Sequence, residues 1–154
     1  MKKKIFLVLT FIWMIFIFYL SHQPATISAS QSGGFMDMLT KLPIIGGLLD
    51  ELMKLSFAEF LIRKSAHMFL YFVLAILIYM SISKGYSYKY YILAFVLSAM
   101  YACSDEIHQL FIVGRSGEIR DVLVDSTGAL IGLIIVYLYN TYIKKKSNSE
   151  SLIK

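Results

Sequence analysis

Cysteine is nearly absent: Cys103 is the single one among 154 residues, which excludes an internal disulfide and any multi-cysteine metal centre. Its apolar neighbours fit an inert core thiol. Proline occurs only as Pro24 and Pro43, both between the first two long apolar runs. Charge is scarce as well. Asp, Glu, Lys and Arg make up 16% of the chain, while hydrophobic residues make up 58% and the mean hydropathy is +0.67, above the range of an ordinary soluble domain. The expected solvent is therefore a bilayer. No Gly-rich phosphate loop, no G-x-S-x-G elbow and no H-E-x-x-H helix is present. Internal repeats and low-complexity tracts are lacking too, including any sign of inverted-repeat symmetry.

The charges that do occur punctuate the apolar runs. The net charge of +5 would suit a nucleic-acid binder, but Lys2, Lys3, Lys4 and Lys144, Lys145, Lys146 flank hydrophobic segments and read as orientation signals instead. No nucleic-acid partner is expected. Four apolar segments, 5–20, 66–82, 90–113 and 122–143, each approach the ~20 residues that cross the hydrocarbon core. The first, Ile5 to Leu20 behind three lysines, shares features with a signal peptide, and Ser28-Ala29-Ser30 resembles a cleavage site. It exceeds the usual ~7–15 residues of such a segment, so an uncleaved helix is expected.

The fold class predicted from these runs is an all-α integral membrane protein of about four transmembrane helices, forming a single domain over 1–154. The lysines of the 84–89 link and of the 144–154 tail place both termini in the cytoplasm. Segment 21–57 is then extracytoplasmic. Within it Phe35, Met36, Leu39 and Leu42, and beyond the Pro43 and Gly46-Gly47 break Leu48, Leu49, Leu52 and Met53, suggest short amphipathic helical pieces.

Polar residues gather at one predicted membrane face. Arg63, Lys64 and His67 open the second segment, Asp105, Glu106, His108 and Gln109 lie near the end of the third, and Asp121 and Asp125 open the fourth. Helical spacing puts Arg63 with His67 on one face, and Asp105 with Gln109 on another. Asp121, Asp125, Gly128 and Gly132 form one stripe, whose GxxxG part permits close helix contact in lipid. Ionisable groups at membrane depth demand partners. Arg63 is the partner expected for Asp105 or Glu106, with Lys64 and Arg115 in reserve. The plain alternative is an ion-pair network for Asp105 and Glu106 and interfacial anchoring for Lys64, Glu118 and Arg120. His67 and His108 fit hydrogen-bonding core roles better than metal ligation, so no metal and no cofactor are expected, although His67, Asp105, Glu106, His108 and Asp121 have the ligand types of a divalent site. Trp13 and the tyrosines are accounted for as core filling and interfacial belts.

Taken in order, Ser21-His22-Gln23-Pro24, Arg63-Lys64-Ser65-Ala66-His67 with Tyr71, Asp105-Glu106-Ile107-His108-Gln109-Leu110-Phe111, Gly114-Arg115, Arg120-Asp121, and Gly128 with Gly132 resemble the VanZ-like membrane proteins. The resemblance spans most of the chain. Val113 stands where many members have proline, and Asp125 where asparagine is frequent. The resemblance implies a bacterial cell-membrane protein, multi-pass, from a family whose name-giving member is associated with low-level teicoplanin resistance.

Two readings of function follow. In the first, an envelope factor binds a lipid-linked cell-wall precursor or a glycopeptide-related ligand among membrane lipids at the outer leaflet, with Arg63, Lys64, Gln109, Arg115 and Asp121 as binding residues. In the second, a membrane-embedded enzyme modifies a lipid or peptidoglycan-related substrate, with His67, Asp105, Glu106 and His108 as candidates for acid–base catalysis. A transporter or channel is less favoured, because the polar groups cluster at one end without a continuous path. Oligomeric state is not legible. The topology has a direct test: a reporter active only in the cytoplasm is expected to be active when fused after Lys84 or Lys146 and inactive after Asp121. The reverse pattern would overturn the orientation.

Overall fold

Long runs of Leu, Ile, Val, Phe and Met without an internal proline favour helix where the bilayer leaves backbone groups no other partner. The computed structural model describes residues 2–41, 47 and 58–152, and within 2–41 and 58–152 the chain forms five helices. These are α1 (Lys2–Ser21), α2 (Ala25–Thr40), α3 (Ala58–Ile82), α4 (Tyr88–Gln109) and α5 (Ile119–Leu152). No strand occurs among the described residues, so the protein is all-α. α2 occupies the start of the segment expected to hold amphipathic pieces; residues 42–46 and 48–57, which carry the rest of that expectation, lie outside the described residues.

Among the described residues three stretches are long and apolar enough to cross a membrane: Lys2–Ser21, Leu61–Ile82 and Ile119–Ser147. α4 is different. Its 22 residues would reach about 33 Å, but Ser98, Ser104, Asp105, Glu106, His108 and Gln109 dilute its hydropathy. α4 also stops at Gln109, short of the expected 113. The chain turns there through hydrogen bonds from Phe111 N to His108 O and from Ile112 N to Gln109 O, and then through Gly114 at φ +76°. That left-handed conformation suits glycine. Asp105 therefore sits four residues, about 6 Å, before the helix end, where the longer helix had implied about twice that.

α3 is the central helix, packed against α1, α4 and α5. Its Tyr71, Leu74, Ala75, Ile78 and Tyr79 form the core with Ile17, Ala94, Ala102, Ala129 and Leu133. Cross-helix contacts fix the directions. Trp13 lies beside Leu70, Met14 beside Tyr101 and Ser21 beside Asp105, while Lys64 faces Asp121 and His67 faces Asp125. α1 and α4 thus run one way and α3 and α5 the other, so the C-terminal ends of the first pair meet the N-terminal ends of the second. Several aromatic side chains do more than fill space: Trp13 Nε1 donates to Leu70 O at 2.9 Å and Tyr101 Oη to Met14 O at 2.7 Å. At the opposite end Asn140 Nδ2 donates to the hydroxyls of Tyr79 and Tyr91, tying α5 to α3 and α4.

Cys103, expected as a core thiol, is exposed. The buried side of α4 follows Ala94, Ser98, Ala102, Asp105, Glu106 and Gln109, and position 103 falls outside that stripe.

α3 and α5 approach each other closely at two glycines. A Cβ added to Gly128 would lie 2.0 Å from Met68 O, and one added to Gly132 would lie 2.7 Å from Phe72 O. Both neighbours are backbone, so they yield only if the helices separate. Gly33 on α2, by contrast, has open space around it. Gly128→Ala is expected to lower the unfolding midpoint in detergent, at a cost of about 1–3 kcal/mol, whereas Gly33→Ala should be neutral or stabilising by about 0.5–1 kcal/mol. Equal midpoints for the two variants would remove the close contact from the account.

Candidate functional site

At the end where four helix termini converge, a cavity of about 160 Å³ opens between α2, α3, α5 and the 110–118 turn. α3 contributes Arg63, Lys64 and His67 to its wall, α4 contributes Gln109, the turn contributes Arg115, Ser116 and Glu118, and α5 contributes Asp121 and Asp125. Ala25 and Ser28 of α2 cover one side. The five residues expected to bind a ligand, Arg63, Lys64, Gln109, Arg115 and Asp121, therefore share one cavity. The candidate catalytic residues are divided. His67 is in the wall, Asp105 and Glu106 are buried outside it, and His108 turns away toward α1.

The α3–α5 contact sets the pairing inside the cavity. With Gly128 against Met68, the turns that precede them bring Lys64 into an ion pair with Asp121 and set His67 Nδ1 3.9 Å from Asp125 Oδ2. That second separation is beyond hydrogen-bond reach. Asp121 lies in the first turn of α5, where an acid also complements the helix dipole.

Arg63 was the expected partner of Asp105 or Glu106, and the structure corrects this. Asp105 Oδ2 accepts hydrogen bonds from Ser21 Oγ at 2.7 Å and Gln109 Nε2 at 3.2 Å. Glu106 Oε1 accepts from the same Gln109 amide at 3.1 Å, and its Oε2 from the backbone N–H of Glu118 at 3.0 Å. Among the described residues Arg63 makes no ion pair. Gln109 lies three and four residues beyond the acids, on the same helix face, and one amide reaches both. The reserve partners are engaged elsewhere too: Lys64 with Asp121, and Arg115 with Gln109 Oε1 at 3.2 Å, Gln23 O at 2.8 Å and Leu20 O at 3.0 Å. Arg115 thus caps the carbonyl end of α1, a favourable place for a cation, and touches the acids only through Gln109. Burial pulls the pKa of Arg115 down from the arginine range and nearby Asp105 pushes it back up; the guanidinium keeps its charge.

Glu118 and Arg120, read as anchors, form an exposed pair at 2.7 Å, and hydrogen bonding from Arg120 holds the Glu118 carboxyl below the usual range. Such a pair adds little stability. The contribution of Glu118 to the site is its backbone N–H.

His108 and His22 approach at 3.1 Å, Nε2 to Nδ1, beside the ring of Phe18. Among the described residues no three His, Cys, Asp or Glu side chains form a group able to hold a metal ion, so His67, Asp105, Glu106, His108 and Asp121 do not converge as a divalent site. Two residues outside the expected binding set matter here. Ser21 reaches Asp105 from a different helix, which no local spacing reveals, whereas Asp125 was marked by its place one turn after Asp121. Both Asp125 oxygens, Asp105 Oδ1 and Tyr71 Oη are buried without a hydrogen-bond partner.

An apolar helical bundle that gathers Asp105, Glu106, Gln109, Arg115 and Asp121 at one end, beside a small open cavity, is the build of a membrane protein with a candidate polar site at that end. The chain belongs to the VanZ/LLP1 family, whose model matches residues 6–140, and it is accordingly a VanZ-like cell-envelope protein. No significant match was found among curated proteins or among solved structures.

Gln109 has a testable role as the group that holds two acids and one arginine together. Gln109→Ala is expected to destabilise the protein in detergent by about 1–3 kcal/mol, since it leaves buried acceptors unmet, and Asp105→Asn in the same chain should recover part of the loss. Arg63→Ala should cost clearly less than Gln109→Ala. A larger loss from Arg63→Ala would restore a direct arginine–carboxylate pairing.

Proposed function

We propose that this protein lies in the bacterial cell membrane as a multi-pass protein, with α4 as a fourth span and both termini in the cytoplasm. The cavity then opens at the extracytoplasmic face. There Arg63, Lys64 and Arg115 bind the phosphate of a lipid-linked or cell-wall component, and occupancy of that component lowers access of teicoplanin-type glycopeptides. One observation carries this reading: two arginines line one cavity while the acids nearest in sequence motif, Asp105 and Glu106, are held by Ser21, Gln109 and a backbone amide. Among the described residues the guanidinium of Arg63 makes no ion pair, and its planar fork is suited to an anion.

The antiparallel arrangement supports the orientation, since it puts the lysines of the α1 start and those near the α5 end away from the cavity. An enzymatic reading keeps one support, the facing of His67 and Asp125 at 3.9 Å in the same cavity, an acid–base arrangement if a substrate lies between them.

Expression in a teicoplanin-sensitive host tests the first reading. The wild-type chain is expected to lower susceptibility and surface binding of the drug, and Arg63→Gln, at equal membrane abundance, to abolish both effects. Losing one charge-assisted contact should weaken ligand binding about tenfold or more. Unchanged susceptibility with the wild-type chain would overturn the proposal, and new or missing lipid species by mass spectrometry would favour the enzyme.

A further inference from the structure

Arg63, Lys64 and Arg115 line the cavity beside three acids, Glu118, Asp121 and Asp125, and Asp125 is the most enclosed of the acids. Asp125 is 1% exposed, lines the cavity, and has neither oxygen hydrogen-bonded. The other acid of the same stripe, Asp121, is met by Lys64. His67 is the nearest basic group to Asp125, and at 3.9 Å it makes no hydrogen bond. Nor is the side chain free to withdraw, because Gly128, one turn further on, is locked against the backbone of α3. A carboxyl group in this position keeps its charge only if a donor meets it. The wall therefore offers two complementary halves: guanidinium groups that suit an anion, and a sheltered carboxylate that suits a cationic donor.

We infer that the ligand of this cavity is zwitterionic, a phosphodiester carrying a primary ammonium group, with the phosphate against Arg63 and Arg115 and the ammonium directed at Asp125. This rests on the anion-binding reading of the same site and narrows its ligand class. An aminoethyl phosphodiester lipid headgroup has this chemistry, as does the same headgroup released from its acyl chains. A phosphodiester ending in a hydroxyl lacks the charge. One ending in a trimethylated ammonium has the charge but no N–H to donate.

The test is native mass spectrometry of the purified full-length chain titrated with phosphatidylethanolamine, phosphatidylcholine and phosphatidylglycerol of identical acyl composition. Wild type is expected to retain phosphatidylethanolamine about tenfold better than either other lipid, as one charge-assisted hydrogen bond allows. The near-isosteric Asp125→Asn should bring the three close to equality, and Arg63→Gln should weaken all three. Displacement of the bound lipid by soluble glycerophosphoethanolamine would show that the headgroup alone is recognised, and failure to displace it that the acyl chains are needed; in either case the ranking of the three lipids decides the proposal. Equal retention of phosphatidylglycerol and phosphatidylethanolamine by wild type overturns the inference, whether or not Asp125→Asn folds, and so does an undiminished preference in folded Asp125→Asn. Retention of all three lipids unchanged in Arg63→Gln would instead overturn the anion-binding reading beneath it.

Discussion

Backbone contact between α3 and α5 is the constraint from which the polar end of this protein follows. Without side chains at 128 and 132, α5 lies against the carbonyls of Met68 and Phe72, a closeness that packing forces and backbone approach can sustain in lipid. Two parallel helices in fixed register then have no choice about which of their polar residues meet. Lys64 comes to Asp121, and His67 to Asp125. The cavity lies at this end, between these helices, the end of α4 and the turn beyond it.

Two adjacent acids within an apolar helix pose a problem that this fold solves with neutral donors. The cations of α3 line the cavity, and Asp105 and Glu106 lie outside its wall. Gln109, Ser21 and the Glu118 amide supply the hydrogen bonds instead, at a net worth of about 1.5–3 kcal/mol for each one made to a charged group. The arrangement joins three separate stretches of chain, the end of α1, the last turn of α4 and the turn before α5, and Arg115 closes it by gripping Leu20 O and Gln23 O. The wall of the cavity is thus held together by a network in which Gln109 and Arg115 also line the cavity.

The outer faces of the helices tell the complementary story. Phe11, Ile15, Leu130 and Leu138 are among the many large apolar side chains left exposed, and only Thr10, Ile17 and Ser21 are buried in α1. In water such a surface would drive aggregation; in hydrocarbon it costs nothing. Cys103 is exposed too, and with α4 as the proposed fourth span hydrocarbon would give that thiol an apolar surrounding as a core does.

Hydropathy and the placement of lysines determined much by themselves: an all-helical chain, the three strongest apolar spans, and the grouping of Arg63, Lys64, His67, Gln109, Arg115 and Asp121 near one end. These features are legible because they depend on local composition, on helix period and on the thickness of a bilayer. The ordered motifs also carried the family resemblance. Only the tertiary structure decided which acid meets which donor. Arg63 faces the cavity rather than Asp105 or Glu106, His108 leaves the cluster for His22, and α4 ends at Gln109 so that its amide falls between both acids and Arg115. Spacing along one helix fixes which side chains share a face, but the partner of a face depends on the rotation and depth of its neighbours, and those are set by contacts such as Gly128 on Met68 that lie sixty positions apart in the chain.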